Sequence, residues 1–254
     1  MKINKYKAIV SDIDGTLVPI IPHALPSQKV TKKIKELREK GIIFSLASGR
    51  PYYLLEYLEK HLSLDTPTIA DNGAVIVDAK NGSVLWERNL ANEEAREIVS
   101  MVKKNTLIRL SCDSCNLENP KSIPGNIKVR KISVHDMTHE VADKLVKEVE
   151  NKFKNLAIVK AASYKGNDLT DVYFSNVEAT KQHALLVYAK LLGISPKEII
   201  GVGDGYNDFP LLMACGLKVA MGNAVNELKA IADYIAPSQD EDGIIDVIDK
   251  FINK

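Results

Sequence analysis

The sequence has little that would place the protein in a membrane, outside the cell or on nucleic acid. Its 254 residues carry a formal net charge of only +1, and no long basic stretch interleaved with aromatics occurs, which argues against a nucleic-acid partner. No apolar run approaches the ~20 residues of a membrane span. The first apolar run is interrupted by Asp12 and Asp14. We therefore expect no signal peptide, no membrane partner and a cytoplasmic location.

Cysteine is also scarce, and its pattern excludes most of its specialised uses. The chain has 3 cysteines, an odd number, and without a secretory signal we expect free thiols. Cys112 and Cys115 form one CxxC pair, but no further ligands at matching spacing complete a zinc site. A redox CxxC usually opens a helix, whereas this pair follows a strand-like run over 107–111. We interpret the pair as buried or half-buried thiols.

The composition, by contrast, is that of an ordinary globular protein with one large or two modest domains. Both ends of the chain alternate apolar runs of strand length with helical patterns, which predicts right-handed βαβ units and a parallel sheet. Ligands of such sheets bind beyond the carboxyl ends of the strands. The predicted strands are 7–11, 42–47, 68–70, 198–202, 217–221 and 234–236. The predicted helices are 27–39, 51–62, 180–192, 210–215, 225–232 and 243–252.

The middle of the chain has a different order of elements. It predicts a helix, two strands, a helix and two strands, which is an α+β pattern with an antiparallel sheet. These elements are 91–104, 107–111, 126–134, 141–153, 157–162 and 169–174. We therefore predict an α/β protein with a Rossmann-like, doubly wound parallel-sheet core formed by 1–84 and 180–254, into which an α+β domain of residues 85–179 is inserted.

Two carboxylates end the first predicted strand. Asp12 and Asp14 stand two residues apart, so they can face the same side of an extended strand. Gly15 would let the chain turn sharply after them. Isolated buried carboxylates are costly, which favours a use for the pair. A simple turn is the alternative, because aspartate before glycine is common in loops.

A second acidic cluster follows a strand late in the chain. Asp204 and Asp208 flank Asn207, and the alternative here is a turn followed by a helix cap. Because both clusters follow parallel strands, they can converge at one edge of one sheet. Carboxylates, backbone carbonyls and water form the oxygen site that suits Mg²⁺. The two clusters together favour a magnesium site and, with it, a phosphate.

Two further segments fit a phosphate site. Ser48 ends the second strand as Ser48-Gly49-Arg50, where a hydroxyl and nearby amides can hold phosphate oxygens. Lys181 lies at a helix start, where an ammonium and the helix N-terminus both favour an anion. Taken singly, a lysine is more often only a solvated surface residue.

Taken in order, these segments resemble the four motifs of the haloacid-dehalogenase superfamily, and the insertion resembles its type-2 cap, here residues 85–179. The chain is most similar to the Cof-type, class IIB phosphatases. Shorter similarities lie at 69–74, 221–224, 232–234 and 242–244. Ser48 stands where the family usually has threonine, and Gln182 where it often has glycine. The four motifs are Asp12-Ile13-Asp14-Gly15-Thr16, Ser48-Gly49-Arg50, Lys181 and Gly203-Asp204-Gly205-Tyr206-Asn207-Asp208.

The resemblance implies a role for each matched residue. Asp12 would attack phosphorus to give an aspartyl phosphate, and Asp14 would protonate the leaving oxygen and then deprotonate water. Mg²⁺ would be bound by Asp12, the backbone carbonyl of Asp14 and Asp204, with Asp208 binding directly or through water. The residues expected to bind the phosphate are Ser48, Gly49, Lys181 and Asn207.

We therefore predict a phosphoric monoester hydrolase that is Mg²⁺-dependent and acts on small phosphorylated metabolites such as sugar phosphates or phosphoglycolate. A phosphomutase on the same core and a phosphorylated receiver-type signalling protein are the alternatives. The cap would set specificity, with Arg109 and the turn 164–168 as candidates, although that turn also fits an exposed hairpin. We expect a monomer or homodimer.

Overall fold

The computed structural model describes residues 5–103, 105–113, 115–125, 127–163 and 165–252. The chain divides into two compact units. We call Met1–Trp86 with Lys181–Lys254 the core unit, and Glu87–Thr180 the insert unit. The use of the insert unit as a cap stays a prediction. Among the described residues, none of the helices has the length and apolar character needed to span a bilayer.

Strands and helices follow one another along most of the chain. The strands are β1 (Ala8–Ser11), β2 (Ile43–Leu46), β3 (Pro67–Ala70), β4 (Val75–Asp78), β5 (Val84–Glu87), β6 (Leu107–Cys112), β7 (Asn116–Glu118), β8 (Val129–Thr138), β9 (Leu156–Ser163), β10 (Gly166–Asn176), β11 (Ile199–Gly203), β12 (Leu217–Ala220) and β13 (Tyr234–Ile235). The helices are α1 (Gln28–Glu39), α2 (Glu56–His61), α3 (Asn92–Met101), α4 (His139–Lys152), α5 (Lys181–Leu192), α6 (Phe209–Ala214), α7 (Asn226–Ile231) and α8 (Gly243–Phe251).

The core unit is built on a five-stranded sheet in the order β13-β12-β11-β1-β2. Every neighbouring pair in it is parallel. From β1 the chain first moves outward to β2, and on its return it places β11, β12 and β13 on the opposite side of β1. The order of the strands therefore reverses beside β1, and such a switch point is where open α/β sheets bind ligands. The predicted doubly wound parallel sheet is confirmed.

Alternating side chains of β1 point to opposite faces of the sheet, and helices pack on both faces. Ile9 lies in one apolar cluster with Ile34 of α1 and Val247 of α8. Val10 lies in another with Leu185 of α5, together with residues of α6 and α7. This alternation follows from the two-residue repeat of a strand. Helix α1 begins cleanly because the Ser27 hydroxyl accepts a hydrogen bond from the backbone N–H of Val30 at 3.1 Å.

Two predictions for the first part of the chain are wrong in detail. The strand predicted at 68–70 does not extend the parallel sheet. It forms β3 of a separate three-stranded sheet, β3-β4-β5, and a parallel bridge joins Ile69 of β3 to Ala47, just after β2. The hairpin β4–β5 was not predicted, because its strands have four residues each and show little alternation. The helix predicted at 51–62 is split into a 3₁₀ turn, Tyr52–Leu54, and α2.

The insert unit has the predicted α+β composition. Its sheet has the order β7-β6-β8-β10-β9, every pair is antiparallel, and α3 and α4 share one apolar cluster with it. Short β7 was not predicted, and the strand expected at 126–134 lies further on, as β8. Asn126, like Lys104 in the predicted helix 91–104, lies outside the described residues. Cys112 is buried, Cys115 and Cys215 are half-buried, and all three are free thiols as predicted.

The packing of α1 on the sheet gives a stability prediction. Ile34 is fully buried, so Ile34→Ala should lower the free energy of unfolding by about 2–5 kcal/mol through lost burial and an unfilled cavity. Lys35→Ala, at the exposed neighbouring position of the same helix, should change it by less than about 0.5 kcal/mol. Chemical denaturation of both variants measures the difference. Equal stability of the two would contradict the packing of α1 against this sheet.

Candidate active site

A buried lysine joins two of the predicted acidic residues at the carboxyl end of the parallel sheet. Lys181, the first residue of α5, is 1% exposed. Its Nζ lies 2.6 Å from Oδ1 of Asp12, just beyond β1, and 2.6 Å from Oδ1 of Asp208, just before α6. Three segments that are far apart in the sequence therefore meet at one ammonium group.

The loop after β11 folds around the other oxygen of Asp208. Oδ2 of Asp208 accepts hydrogen bonds from the backbone N–H groups of Asp204 and Gly205, each at 3.0 Å. Asp208 is fully buried, so these bonds and the contact with Lys181 offset the cost of burying its charge. This carboxylate therefore fixes the loop that carries Asp204 and Asn207.

Asp204 is held against the loop that follows β1. Its Oδ1 accepts a hydrogen bond from the Thr16 hydroxyl at 2.7 Å. Gly15 has φ +76°, and a Cβ there would lie 2.3 Å from Oδ2 of Asp204. Position 15 therefore requires glycine both for its left-handed backbone and for the close approach of the carboxylate. The Asn223 amide donates to the Gly15 carbonyl at 2.7 Å and closes the same loop.

These groups carry more negative than positive charge. Burial, followed by the charge of Asp208, raises the pKa of Asp12 well above its usual range, although Lys181 opposes the rise. Burial and Asp208 also raise the pKa of Asp204 to about 7. Burial alone would favour a neutral Lys181 amine, but Asp12 and Asp208 reverse this and raise its pKa. Three carboxylates thus share one ammonium.

The donor set fits a divalent cation. One carboxylate oxygen from each of Asp12, Asp204 and Asp208 lies within 4.8 Å of the others. Hard oxygen ligands are those that Mg²⁺ prefers, and three carboxylates with one ammonium among them would gain from an added positive charge. Both oxygens of Asp208 already accept hydrogen bonds, so Asp12 and Asp204 are the better direct ligands.

Asp14 lies beside this cluster and is bound to Arg50, from the segment after β2. The guanidinium contacts both carboxylate oxygens, with Nε 2.8 Å from Oδ2. Nη1 of Arg50 donates to the Tyr57 hydroxyl at 2.9 Å, and that hydroxyl donates to the Ala24 carbonyl at 3.1 Å. A bidentate pair of this kind fixes the orientation of the carboxylate.

The loop after β2 carries Ser48 and Gly49. Ser48 is 1% exposed, and its Oγ accepts a hydrogen bond from the backbone N–H of Arg50 at 3.1 Å. Asn207 reaches the same region, where its amide donates to Oδ1 of Asn72 at 3.4 Å. Asn72 also lies next to Gly49, because a Cβ at position 49 would be 2.8 Å from its Oδ1.

The structure therefore places every predicted catalytic, metal-binding and phosphate-binding residue in the core unit, where most of them form two groups. Asp12, Lys181, Asp204 and Asp208 form the acidic cluster, whereas Gly49 and Asn207 meet at Asn72. Their roles in binding and catalysis stay predictions. The contacts made by Thr16, Arg50, Asn72 and Asn223 were not predicted. Each of these residues follows a strand end, and that position was the available signal.

Comparison with known proteins gives the family. The haloacid dehalogenase-like hydrolase family matches residues 9–116 and 111–248. A phosphoglycolate phosphatase of Methanopyrus kandleri is 25% identical over 252 residues, covering 97% of each chain. A 5-amino-6-(5-phospho-D-ribitylamino)uracil phosphatase of Bacillus subtilis is 27% identical over 249 residues, covering 95% of this chain and 94% of its own.

Solved structures share the fold. A sugar phosphatase of subclass IIB of this superfamily superposes with a TM-score of 0.80 at 24% identity, over 96% of this chain and 98% of its own. The fold agrees with the Cof-type, class IIB resemblance seen in the motifs. Because the family match extends from β1 to α8, the chain belongs to the haloacid dehalogenase-like hydrolase family.

Proposed function

We propose that this protein is a Mg²⁺-dependent phosphatase that hydrolyses small phosphorylated metabolites through an aspartyl phosphate on Asp12. The observation that carries the proposal is the cluster of Asp12, Asp204 and Asp208 at the switch point of the sheet, with the buried Lys181 between Asp12 and Asp208. The relatives support it, because they are named as phosphatases of phosphoglycolate and of a ribitylaminouracil phosphate.

In the first step, Asp12 attacks phosphorus. Lys181 holds Oδ1 of Asp12 and leaves Oδ2 as the attacking oxygen. The new Oδ2–P bond forms while the bond from phosphorus to the ester oxygen breaks, and a proton from Asp14 goes to that leaving oxygen. The ammonium of Lys181, the Ser48 hydroxyl, the Gly49 amide and the Asn207 amide would stabilise the phosphoryl oxygens.

In the second step, Asp14 takes a proton from water, the water oxygen attacks phosphorus, and the Oδ2–P bond of Asp12 breaks to release phosphate. Arg50 holds both oxygens of Asp14, an arrangement that suits the carboxylate form required here. Protonation of the leaving group in the first step requires this pair to open at one oxygen. Arg50 therefore couples the position of Asp14 to the stage of the reaction.

Asp12 and Asp204, the Asp14 carbonyl, and Asp208 directly or through water would hold Mg²⁺. When bound, the ion supplies positive charge that reduces repulsion between the Asp12 carboxylate and a phosphate dianion. The donor set fits this use because its carboxylates outnumber the ammonium groups that contact them.

We also propose that the insert unit acts as a cap that sets specificity. The predicted specificity residues lie in it. Arg109 is paired with Glu118 at 3.0 Å, and in the turn 164–168 Lys165 is paired with Asp136 at 2.6 Å, while Tyr164 lies outside the described residues. A cytoplasmic location and a monomeric or homodimeric state also stay proposals.

Removal of the nucleophile tests the function. With a panel of phosphorylated metabolites and Mg²⁺, the wild type should release inorganic phosphate, and Asp12→Asn should lower kcat by a factor on the order of 10³ or more. EDTA should abolish release by the wild type, and Mg²⁺ should restore it. Asp240→Asn, at an exposed position, is the matched control and should keep full activity.

Four outcomes would count against this function. No release from any compound, or equal release by Asp12→Asn, would reject the phosphatase. Conversion of a substrate to an isomeric phosphate without free phosphate would favour the phosphomutase. A phosphoenzyme that persists for minutes would favour the receiver-type protein.

The charge imbalance predicts how pH affects stability. In the folded protein Asp204 has a pKa of about 7, above its unfolded value of about 3.9. Between these values the folded state binds a proton that the unfolded state has lost, so stability without metal should fall as pH rises from about 4 to 7. Mg²⁺ competes with that proton, so the stabilisation it adds should grow over the upper part of this range.

Thermal unfolding in EDTA and in excess Mg²⁺ measures both trends when it is followed from about pH 5 to about pH 8, a range that spans the pKa of Asp204. Asp204→Asn should weaken both dependences, whereas Asp240→Asn should keep them. A stabilisation by Mg²⁺ that is absent, or the same at every pH, would contradict a metal site at Asp204.

A further inference from the structure

The segment Asp71-Asn72-Gly73, directly after β3, has an unusual backbone. Its three residues have φ values of 52°, 58° and 100°, all in the left-handed region. Asparagine and aspartate tolerate this region better than most residues, but each such non-glycine residue still costs energy. Strained backbone of this kind persists only where the surrounding structure fixes it, and it concentrates at functional sites.

Hydrogen bonds fix this turn to the loop after β2. The backbone N–H of Asp71 donates to the Arg50 carbonyl at 2.9 Å, and that of Asn72 donates to the Ser48 carbonyl at 3.0 Å. In return, the N–H of Ser48 donates to the Ile69 carbonyl at 2.9 Å. The left-handed turn and the proposed phosphate loop are therefore one rigid assembly.

The side chain of Asn72 connects this assembly to the loop after β11. Asn72 is only 8% exposed. Its Oδ1 accepts a hydrogen bond from Nδ2 of Asn207 at 3.4 Å and lies against Gly49. An amide nitrogen carries two hydrogens, so Asn207 keeps one N–H for a second acceptor. Oriented by Asn72, that second N–H can serve a phosphoryl oxygen.

We infer that Asn72 is a positioning residue of the phosphate site: it orients the Asn207 amide and holds it in register with the Gly49 backbone. This inference rests on the proposed function. It gives the strained turn a reason, because in this left-handed conformation the Asn72 side chain accepts from Asn207 while its backbone N–H donates to the Ser48 carbonyl. The residue acts through Asn207 and Gly49 and takes part in no bond change.

The test separates the side chain from the backbone. Asn72→Gly removes the amide but suits a positive φ, so the unfolding midpoint should stay at or above that of the wild type. The value of kcat/KM should fall by about 10- to 100-fold, because misplacement of a group that contacts the phosphate weakens the transition state. Ser63→Gly, at another left-handed position (φ 52°), is the matched control and should keep full activity.

A double-mutant cycle identifies the partner. If Asn72 acts through Asn207, then Asn207→Ala should lower kcat/KM, and adding Asn72→Gly to it should cause less than about a threefold further loss. Asn72→Asp keeps the shape and the acceptor oxygen but puts a negative charge beside the phosphate loop. The variant should fold like the wild type. Its KM should rise, and inorganic phosphate should inhibit it more weakly than it inhibits the wild type.

Several results would overturn the inference. These are full activity of Asn72→Gly, full additivity in the cycle, or an unchanged KM in Asn72→Asp. Failure of the proposed function is a different result, because the wild type itself would then release no phosphate, or Asp12→Asn would release as much. Loss of activity together with loss of folding in Asn72→Gly would also contradict us, since it would make the side chain structural.

Discussion

The contact of one buried ammonium with two buried carboxylates holds this site together. Lys181, Asp12 and Asp208 come from the start of α5, the end of β1 and the loop before α6, so the triad joins both halves of the core unit across the insertion. Removing one member of a buried ion pair leaves the other charge uncompensated, which lowers stability more than replacing the whole pair by apolar residues does. The triad therefore constrains the fold and the chemistry together.

The parallel sheet explains why such distant segments meet. All strands of this sheet run parallel, so the loops after β1, β2 and β11 emerge at one edge, and the strand order reverses there beside β1. The glycines at this edge serve close approach, as Gly15 does against Asp204. Polar contacts between loops, rather than the apolar clusters beneath them, then set the orientation of each functional group.

The sequence predicted the strand-end carboxylates, because buried strands that finish in acidic residues are rare without a use. It also predicted the parallel sheet, because β1, β2 and β11 have strong apolar patterns of strand length. It did not predict which side chains of different loops contact one another. Nothing in the residue types indicates that Arg50 pairs with Asp14 or that Asn72 meets Asn207, because these contacts depend on loop geometry. The sheet that contains β3 was predicted wrongly for a similar reason, since the pairing of β3 with β4 depends on a short hairpin.

The acidic cluster and the left-handed turn both lower the stability of the fold at a place where the protein is proposed to act. Carboxylates that outnumber the ammonium in contact with them raise the pKa of Asp12 and Asp204, and a run of positive φ strains the backbone beside them. Neither feature helps the metal-free fold, and a sequence selected for stability alone would replace both. Under the proposed function, a cation would complete the acidic cluster by balancing its carboxylates, and a phosphate dianion would accept hydrogen bonds from the amides beside the turn. The places where the chain departs from local physical rules thus coincide with the places where it would bind its ligands.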